Sequence, residues 1–221
     1  MDSSQSGFEL LQSGDMDGLR RLLSEHPATA EARDAHGVSL LMHALYRGQR
    51  DLAIAIAGQK QELDIFEAAS LGRLERLRDC LRDPAAINSY SKDGFTALHF
   101  ASYFGQPDSA RLLLEQGAKA DAVASNPTQV MPLHSAASAR NLDAARLLLE
   151  HGAPVNARQQ LGWVPIHAAA QNGDRAMVEF LLEQGAEPTI TNDDGKSPAK
   201  VARDKGHTEI ADLLEQRAPK S

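Results

Sequence analysis

The 221-residue chain has a single cysteine, Cys80, so no disulfide can close within it. Cys80 falls among apolar helix positions and reads as a small core residue rather than a reactive thiol. No apolar run approaches the ~20 residues that a membrane-spanning helix requires. The opening Met1-Asp2-Ser3-Ser4-Gln5 has neither the basic nor the apolar region of a secretory leader, so a cytoplasmic protein is expected. Basic charge is in deficit: 23 Lys and Arg stand against 30 Asp and Glu, a net charge of -7. That balance argues against nucleic-acid backbones, which attract basic stripes, and Lys220 is too isolated to alter it. There is no Gly-x-Ser-x-Gly elbow and no phosphate-binding Gly-x-x-x-x-Gly-Lys-Ser/Thr loop. Asp193-Asp194-Gly195 is a turn signal without the remainder of a calcium loop.

What the chain does have is repetition. Thr96-Ala97-Leu98-His99 returns as Met131-Pro132-Leu133-His134, as Val164-Pro165-Ile166-His167 and, more weakly, as Ser197-Pro198-Ala199-Lys200. Thirteen residues after each histidine comes an apolar triplet: Leu112 to Leu114, Leu147 to Leu149, Phe180 to Leu182. Gly117, Gly152 and Gly185 then close each segment. Such a period specifies one supersecondary unit, stacked on copies of itself. Each unit reads as two helices and an extended finger. Thr96 caps a first helix over 97–104, Gly105 stops it in a left-handed conformation, and a second helix follows over about 108–116. Pro132, Pro165 and Pro198 take the first helical position, where a missing N–H costs nothing.

The upstream part keeps the register while losing the motif. Gly37 to Gly48 repeats the spacing of Gly94 to Gly105, which puts Ser39-Leu40-Leu41-Met42 in the signature position. Seven units follow, at about 4–36, 37–60, 61–93, 94–126, 127–161, 162–194 and 195–218. The spacing from His99 to His134 is two residues longer than from His134 to His167, and the excess falls around Asn126-Pro127 in a finger. The end units should be atypical because one side of each faces water; Glu215 accordingly replaces the third apolar residue of the last triplet. The expected core is Phe8, Leu10, Leu22, Leu41, Ile56, Leu77, Leu98, Leu113, Leu133, Leu148, Ile166, Leu181 and Leu213.

These motifs resemble the ankyrin repeat, most fully from Gly94 to Ala118, well across the last four units, and by register alone in the first three. The resemblance implies an all-α solenoid of about seven stacked helix-turn-helix units with short β-hairpin-like fingers. It also implies a concave face made by the fingers and first helices, a histidine that hydrogen-bonds backbone between repeats, and protein-interaction function without catalysis. Arg140 departs from the pattern by replacing the turn glycine found at 105, 173 and 206, so that turn must tolerate a strained or altered backbone. Met131 and Val164 replace the capping threonine, leaving those helix starts less well satisfied.

His99, His134 and His167 form a row, but one histidine per repeat sets neighbours about 8–10 Å apart, too far for ligands that must each lie about 2.0–2.1 Å from one zinc. No metal, cofactor or catalytic residue is assigned. The ten aromatics are more informative. Phe100 and Phe180 take interior positions, and Phe8 and Phe66 take the position of the histidines. The other six, Tyr46, Tyr90, Phe95, Tyr103, Phe104 and Trp163, fall on finger or late first-helix positions facing the concave side. Val130 lies between Phe95 and Trp163 at the same finger position. Exposed aromatic patches mark interfaces, and Tyr and Trp are frequent anchors.

The expected function is that of a monomeric adaptor binding a protein or peptide on this face. An inhibitor that occludes an enzyme needs the same surface, and an enzyme with an unrecognised site would need a pocket of titratable groups. Nucleic acid is disfavoured because Ser70, Leu71, Ser138, Ala139, Gln171 and Asn172 on the concave side are not basic, and Lys92, Lys196 and Lys205 are dispersed. In a stacked array, stability is a sum of unit and neighbour terms. Leu148→Ala in a central unit should cost about 2–5 kcal/mol in chemical denaturation, and Leu214→Ala in the end unit measurably less; equal losses would contradict a one-dimensional array.

Overall fold

A computed structural model describes residues 3–219; Met1, Asp2, Lys220 and Ser221 lie outside them. The described residues form fourteen α-helices in seven helix-turn-helix pairs: α1 (Ser3–Ser13) with α2 (Met16–Glu25), α3 (Leu40–Tyr46) with α4 (Arg50–Gln59), α5 (Ile65–Leu71) with α6 (Leu74–Cys80), α7 (Ala97–Tyr103) with α8 (Pro107–Glu115), α9 (Pro132–Ser138) with α10 (Leu142–Glu150), α11 (Pro165–Asn172) with α12 (Arg175–Glu183), and α13 (Pro198–Asp204) with α14 (Thr208–Gln216). None is long and apolar enough to cross a membrane. The fingers are turns rather than paired strands; the described residues hold one isolated β-bridge, Arg33 to Ser39.

The helices are short because caps bound them. Ser39 Oγ accepts the backbone N–H of Met42 at 3.2 Å, and the Asp64 carboxylate accepts that of Glu67 at 2.9 Å. Pro132, Pro165 and Pro198 stand at helix starts. Between first and second helix the chain must turn through a left-handed residue. Gly105 adopts φ 67°, and Arg140 adopts φ 59° at the same position, where a side chain costs roughly 1–2 kcal/mol.

Met131 and Val164 leave their helix starts better satisfied than their side chains suggest. The histidine three residues on supplies the acceptor. His99 Nδ1 accepts the N–H of Thr96 at 3.2 Å, His134 Nδ1 that of Met131 at 3.1 Å, and His167 Nδ1 that of Val164 at 3.2 Å. That assignment leaves the proton on Nε2, which donates to the next finger: Val130 O at 3.0 Å, Ala157 O at 2.9 Å and Lys196 O at 3.0 Å. Proline removes a further orphan donor at two of these starts.

The interior is filled by Leu41, Ile56, Leu77, Leu98, Leu113, Leu133, Leu148, Ile166 and Leu181, all buried. Phe8, Leu10, Leu22 and Leu213 are only half-buried. In the end units the inward stripe is rotated, so Leu11, Leu19, Leu23 and Leu214 take the buried places. The last pair turns its outer face to water, where Arg203 meets Asp212 and Glu215, each at 2.8 Å.

One junction differs from the rest. Sixteen residues separate α8 from α9, but only residues 60–64 separate α4 from α5, so no finger precedes the third pair. The chain from Asp64 to Gly72 is also one residue shorter than that from Thr96 to Gly105. Counted from the helix start, Glu67 rather than Phe66 therefore holds the histidine position, and its carboxylate accepts the N–H of Asp64 at 3.1 Å. First helices α5, α7, α9, α11 and α13 pack side by side, whereas α3 and α5 hardly touch. The buried apolar residues form two clusters, one over the first two pairs that also takes in Leu71 of α5 and Phe100 of α7, and one from Ile65 onward. Polar groups bridge the gap. The Lys60 ammonium, 1% exposed, lies 2.9 Å from the Glu31 carboxylate and 3.4 Å from that of the buried Glu67. Arg33 pairs with Asp64 at 2.9 Å. Burial, and then the charge of Asp64, pushes the Glu67 carboxyl above its usual range.

Burial drives His99 and His134 from 6.5 down to about 4, and lowers His167 in the same direction. The unfolded chain therefore binds more protons between these values. The stabilisation is complete above pH 6.5 and is lost as pH falls towards 4, on the order of 3 kcal/mol for each of the first two. Urea denaturation at pH 7.5 and pH 5 should show a marked loss for the wild type. His134→Gln should be weaker at pH 7.5 but lose less on acidification; a loss equal to the wild type's would remove His134 from the linkage.

Candidate functional site

The first-helix position following the histidine carries Phe100 in the fourth pair and Ser135 in the fifth; three residues on, Tyr103 is matched by Ser138. Large rings on α7 thus face small hydroxyls on α9, and a cavity of about 280 Å³ opens between them. Its walls are Tyr46, Phe95, Phe100, Tyr103 and Val130, with Thr128, Ser135, Ser138 and the two clamp histidines completing the lining.

The rings support each other. Phe95 and Phe100 meet edge to face at 5.7 Å, and Tyr46 lies 6.5 Å from Phe100. Phe104 packs behind this wall, stacked on Phe100 at 6.3 Å and set against Tyr103 at 5.2 Å and Tyr46 at 6.1 Å. Tyr46 comes from α3, two pairs earlier in the array. It reaches this cluster because the missing finger lets the two halves close: its hydroxyl donates to the Asp93 carboxylate in the fourth finger. Burial, then that bond, raises the Tyr46 phenol well above its ordinary value, so it stays neutral.

Of the seven residues expected on the concave face, Tyr46, Phe95, Tyr103 and Val130 line this one cavity. Phe104 braces it. Tyr90 stands on the other side of its finger, donating to Val123 O at 2.9 Å and lining a second cavity of about 210 Å³ with Arg33, Asp64 and Lys92. Trp163 lies one finger beyond Val130, its ring 5.4 Å from that of His167. Tyr46, Tyr90 and Tyr103 are exposed at 43%, 46% and 48%, while Phe95, Phe104, Val130 and Trp163 are half-buried. Phe100, expected only as interior, forms the cavity wall as well as core. Thr128, Ser135 and Ser138 carry no aromatic signal; comparing one position across neighbouring repeats is the signal that finds the two serines.

No charged side chain lines the cavity, and the depressed basicity of His99 and His134 keeps both imidazoles neutral. Each of their ring nitrogens is already engaged with backbone, so neither is free to move protons or hold a metal. The arrangement offers contact area, ring faces and hydroxyls, which is equipment for recognition.

Stacked helix pairs, projecting turns and an imidazole clamp from each of α7, α9 and α11 to the following finger define a helical repeat solenoid. The chain belongs to the ankyrin repeat family: the family model described as ankyrin repeats (3 copies) matches residues 65–159 and 155–220. Osteoclast-stimulating factor 1 of Monopterus albus is 40% identical over 63 residues, 28% of this chain and 29% of that protein. Ankyrin repeat domain-containing protein SAT10 of Stachybotrys chartarum is 30% identical over 112 residues, 49% of this chain and 6% of the relative. Ankyrin repeat domain-containing protein oryK of Aspergillus oryzae is 38% identical over 56 residues, 25% of the chain and 9% of the relative. The chain thus spans less than a third of the length of each. Ankyrin repeats are protein-interaction modules, typically without catalysis.

The degree of burial separates bracing rings from presented ones. Phe104→Ala should lower stability by about 2 kcal/mol or more, since it strips a half-buried ring from the packed wall. Tyr103→Ala should stay within about 0.5 kcal/mol of the wild type. Thermal melts of the two variants check this; similar losses would make Tyr103 a structural residue.

Proposed function

We propose that the chain is a non-catalytic adaptor whose concave face binds a protein or peptide partner, centred on Tyr46, Phe95, Tyr103 and Val130, braced by Phe104 and flanked by Tyr90 and Trp163. One observation carries the reading: rings that the repeat stack does not require are gathered around a single open cavity on that face. A core needs apolar residues at inward positions only, and three tyrosines left near half-exposed would be a solubility liability if nothing covered them. The clustering in space supports an anchor site, because binding energy concentrates in a few aromatic residues near the middle of an interface. The convex second helices offer no comparable group of rings; their large aromatic, Phe180, is buried beneath Arg146.

The partner can be found by affinity capture with the intact chain and tested with Tyr103→Ala, which removes an exposed ring and leaves Phe95, Phe100 and Phe104 packed. Affinity should fall by more than about 1–2 kcal/mol, with unchanged melting. Unaltered binding by Tyr103→Ala and Tyr46→Phe, or a footprint on the second helices by hydrogen exchange, would place the interface elsewhere.

A further inference from the structure

The cavity beside Tyr103 is selective in its chemistry as well as its position. A dry space of about 150 Å³ admits a benzene-sized guest, so about 280 Å³ has room for one substituted six-membered ring. Its walls are ring faces and edges from Tyr46, Phe95, Phe100 and Tyr103, with the Val130 side chain opposite.

Of the lining hydroxyls that have no partner, that of Ser135 is the one on a buried residue. Ser135 is 9% exposed, lines the cavity, and its hydroxyl makes no hydrogen bond among the described residues. Elsewhere on these first helices a buried serine folds its hydroxyl back onto its own helix: Ser102 donates to Leu98 O at 2.7 Å and Ser70 to Phe66 O at 2.7 Å. Ser135 does not, so its hydroxyl is left for whatever enters. An occupant that covers this hydroxyl takes it from water, and one that carries its own polar atom to that point replaces the hydrogen bond that is lost.

A charged occupant finds no counterpart. No ionised side chain lines the cavity, and the Asp93 carboxylate beside Tyr46 is occupied on both oxygens, by the Tyr46 hydroxyl and by that of Ser91 at 2.5 Å. A wholly apolar occupant fills the walls but leaves Ser135 unpaired. An aromatic ring ending in a hydroxyl satisfies both, because a phenol can donate to and accept from a serine hydroxyl.

Resting on the concave-face reading above, we propose that this cavity receives a tyrosine side chain of the partner, its ring between the aromatic walls and its phenolic oxygen on Ser135. The structure thereby assigns Ser135 a recognition role, and makes the exchange of Phe100 for Ser135 between adjacent repeats the origin of specificity.

Side-chain analogues test this without knowledge of the partner. The full chain is titrated by NMR with p-cresol, toluene, 3-methylindole and tetramethylammonium, standing for Tyr, Phe, Trp and a cationic head, with the Val130 methyl groups as reporters. p-Cresol should bind about 3- to 10-fold more tightly than toluene, the share of one hydrogen bond. In Ser135→Ala, a change that favours the helix, the two should become equal while toluene binding is retained. Toluene or 3-methylindole matching or exceeding p-cresol, preference for tetramethylammonium, absence of any p-cresol binding at Val130, or a selectivity that survives in Ser135→Ala each overturns the inference. If Tyr103→Ala still weakens the captured partner after such a result, the concave-face reading stands and only the identity of the anchor falls. If p-cresol behaves as expected but Tyr103→Ala leaves partner binding intact, the cavity is selective and the interface reading fails instead.

Discussion

The fourth, fifth and sixth repeats are each fastened to the next by a neutral imidazole. Nδ1 holds the start of its own first helix, and Nε2 holds a carbonyl of the following finger at 2.9 to 3.0 Å. Both bonds require one tautomer, and the two fix it together: an acceptor on one side leaves the donor on the other. Finger placement follows from this clamp. Val130 O is a partner of His99, so the finger that carries Val130 is held where it forms a wall of the cavity. The same clamp relieves the helices of a dependence on capping side chains, and Met131 and Val164 are tolerated at those starts for that reason.

Where the clamp is missing, the structure changes character. Glu67 cannot donate to a following finger as an imidazole does, and the third pair has no finger of its own before it. Lys60, Glu31, Arg33 and Asp64 fill the space with charge instead of methyl groups. A buried ion pair recovers less than apolar packing because both partners must shed water, and the division of the core into two clusters falls at this place. The break also has a constructive effect. With no third finger between them, α3 and the fourth finger approach each other, and Tyr46 joins rings that lie two pairs further along.

The sequence shows the fold clearly, because a period of some 33 residues repeats the helix starts, turns and apolar triplets in phase. His99, His134 and His167 could be assigned a structural role from spacing alone. Phe66 shows where this reasoning stops: it stands as far before Gly72 as His99 does before Gly105, but a one-residue deletion within the unit makes Glu67 the match when the count starts at Asp64. Burial at the chain ends is obscured for a related reason. Phe8, Leu10, Leu22 and Leu213 fit an apolar pattern, but the inward stripe of the end units is rotated, onto Leu11, Leu23 and Leu214. The candidate surface was half legible. Aromatics can be placed on a face by phase, yet which of them brace and which are presented depends on packing between pairs. The cavity itself lies in no single motif, since residues as ordinary as Thr128 and Ser135 complete it.

The cavity exists because two adjacent repeats differ, with Phe100 and Tyr103 set against Ser135 and Ser138 in register. It belongs to a junction and not to a repeat. Repeat proteins gain stability as their units converge on a common sequence, and here such convergence would act against the surface: giving the fifth unit the rings of the fourth fills the space, and giving the fourth the serines of the fifth removes the walls. The information in this array is held in its irregularities, so the chain has to remain an imperfect copy of itself.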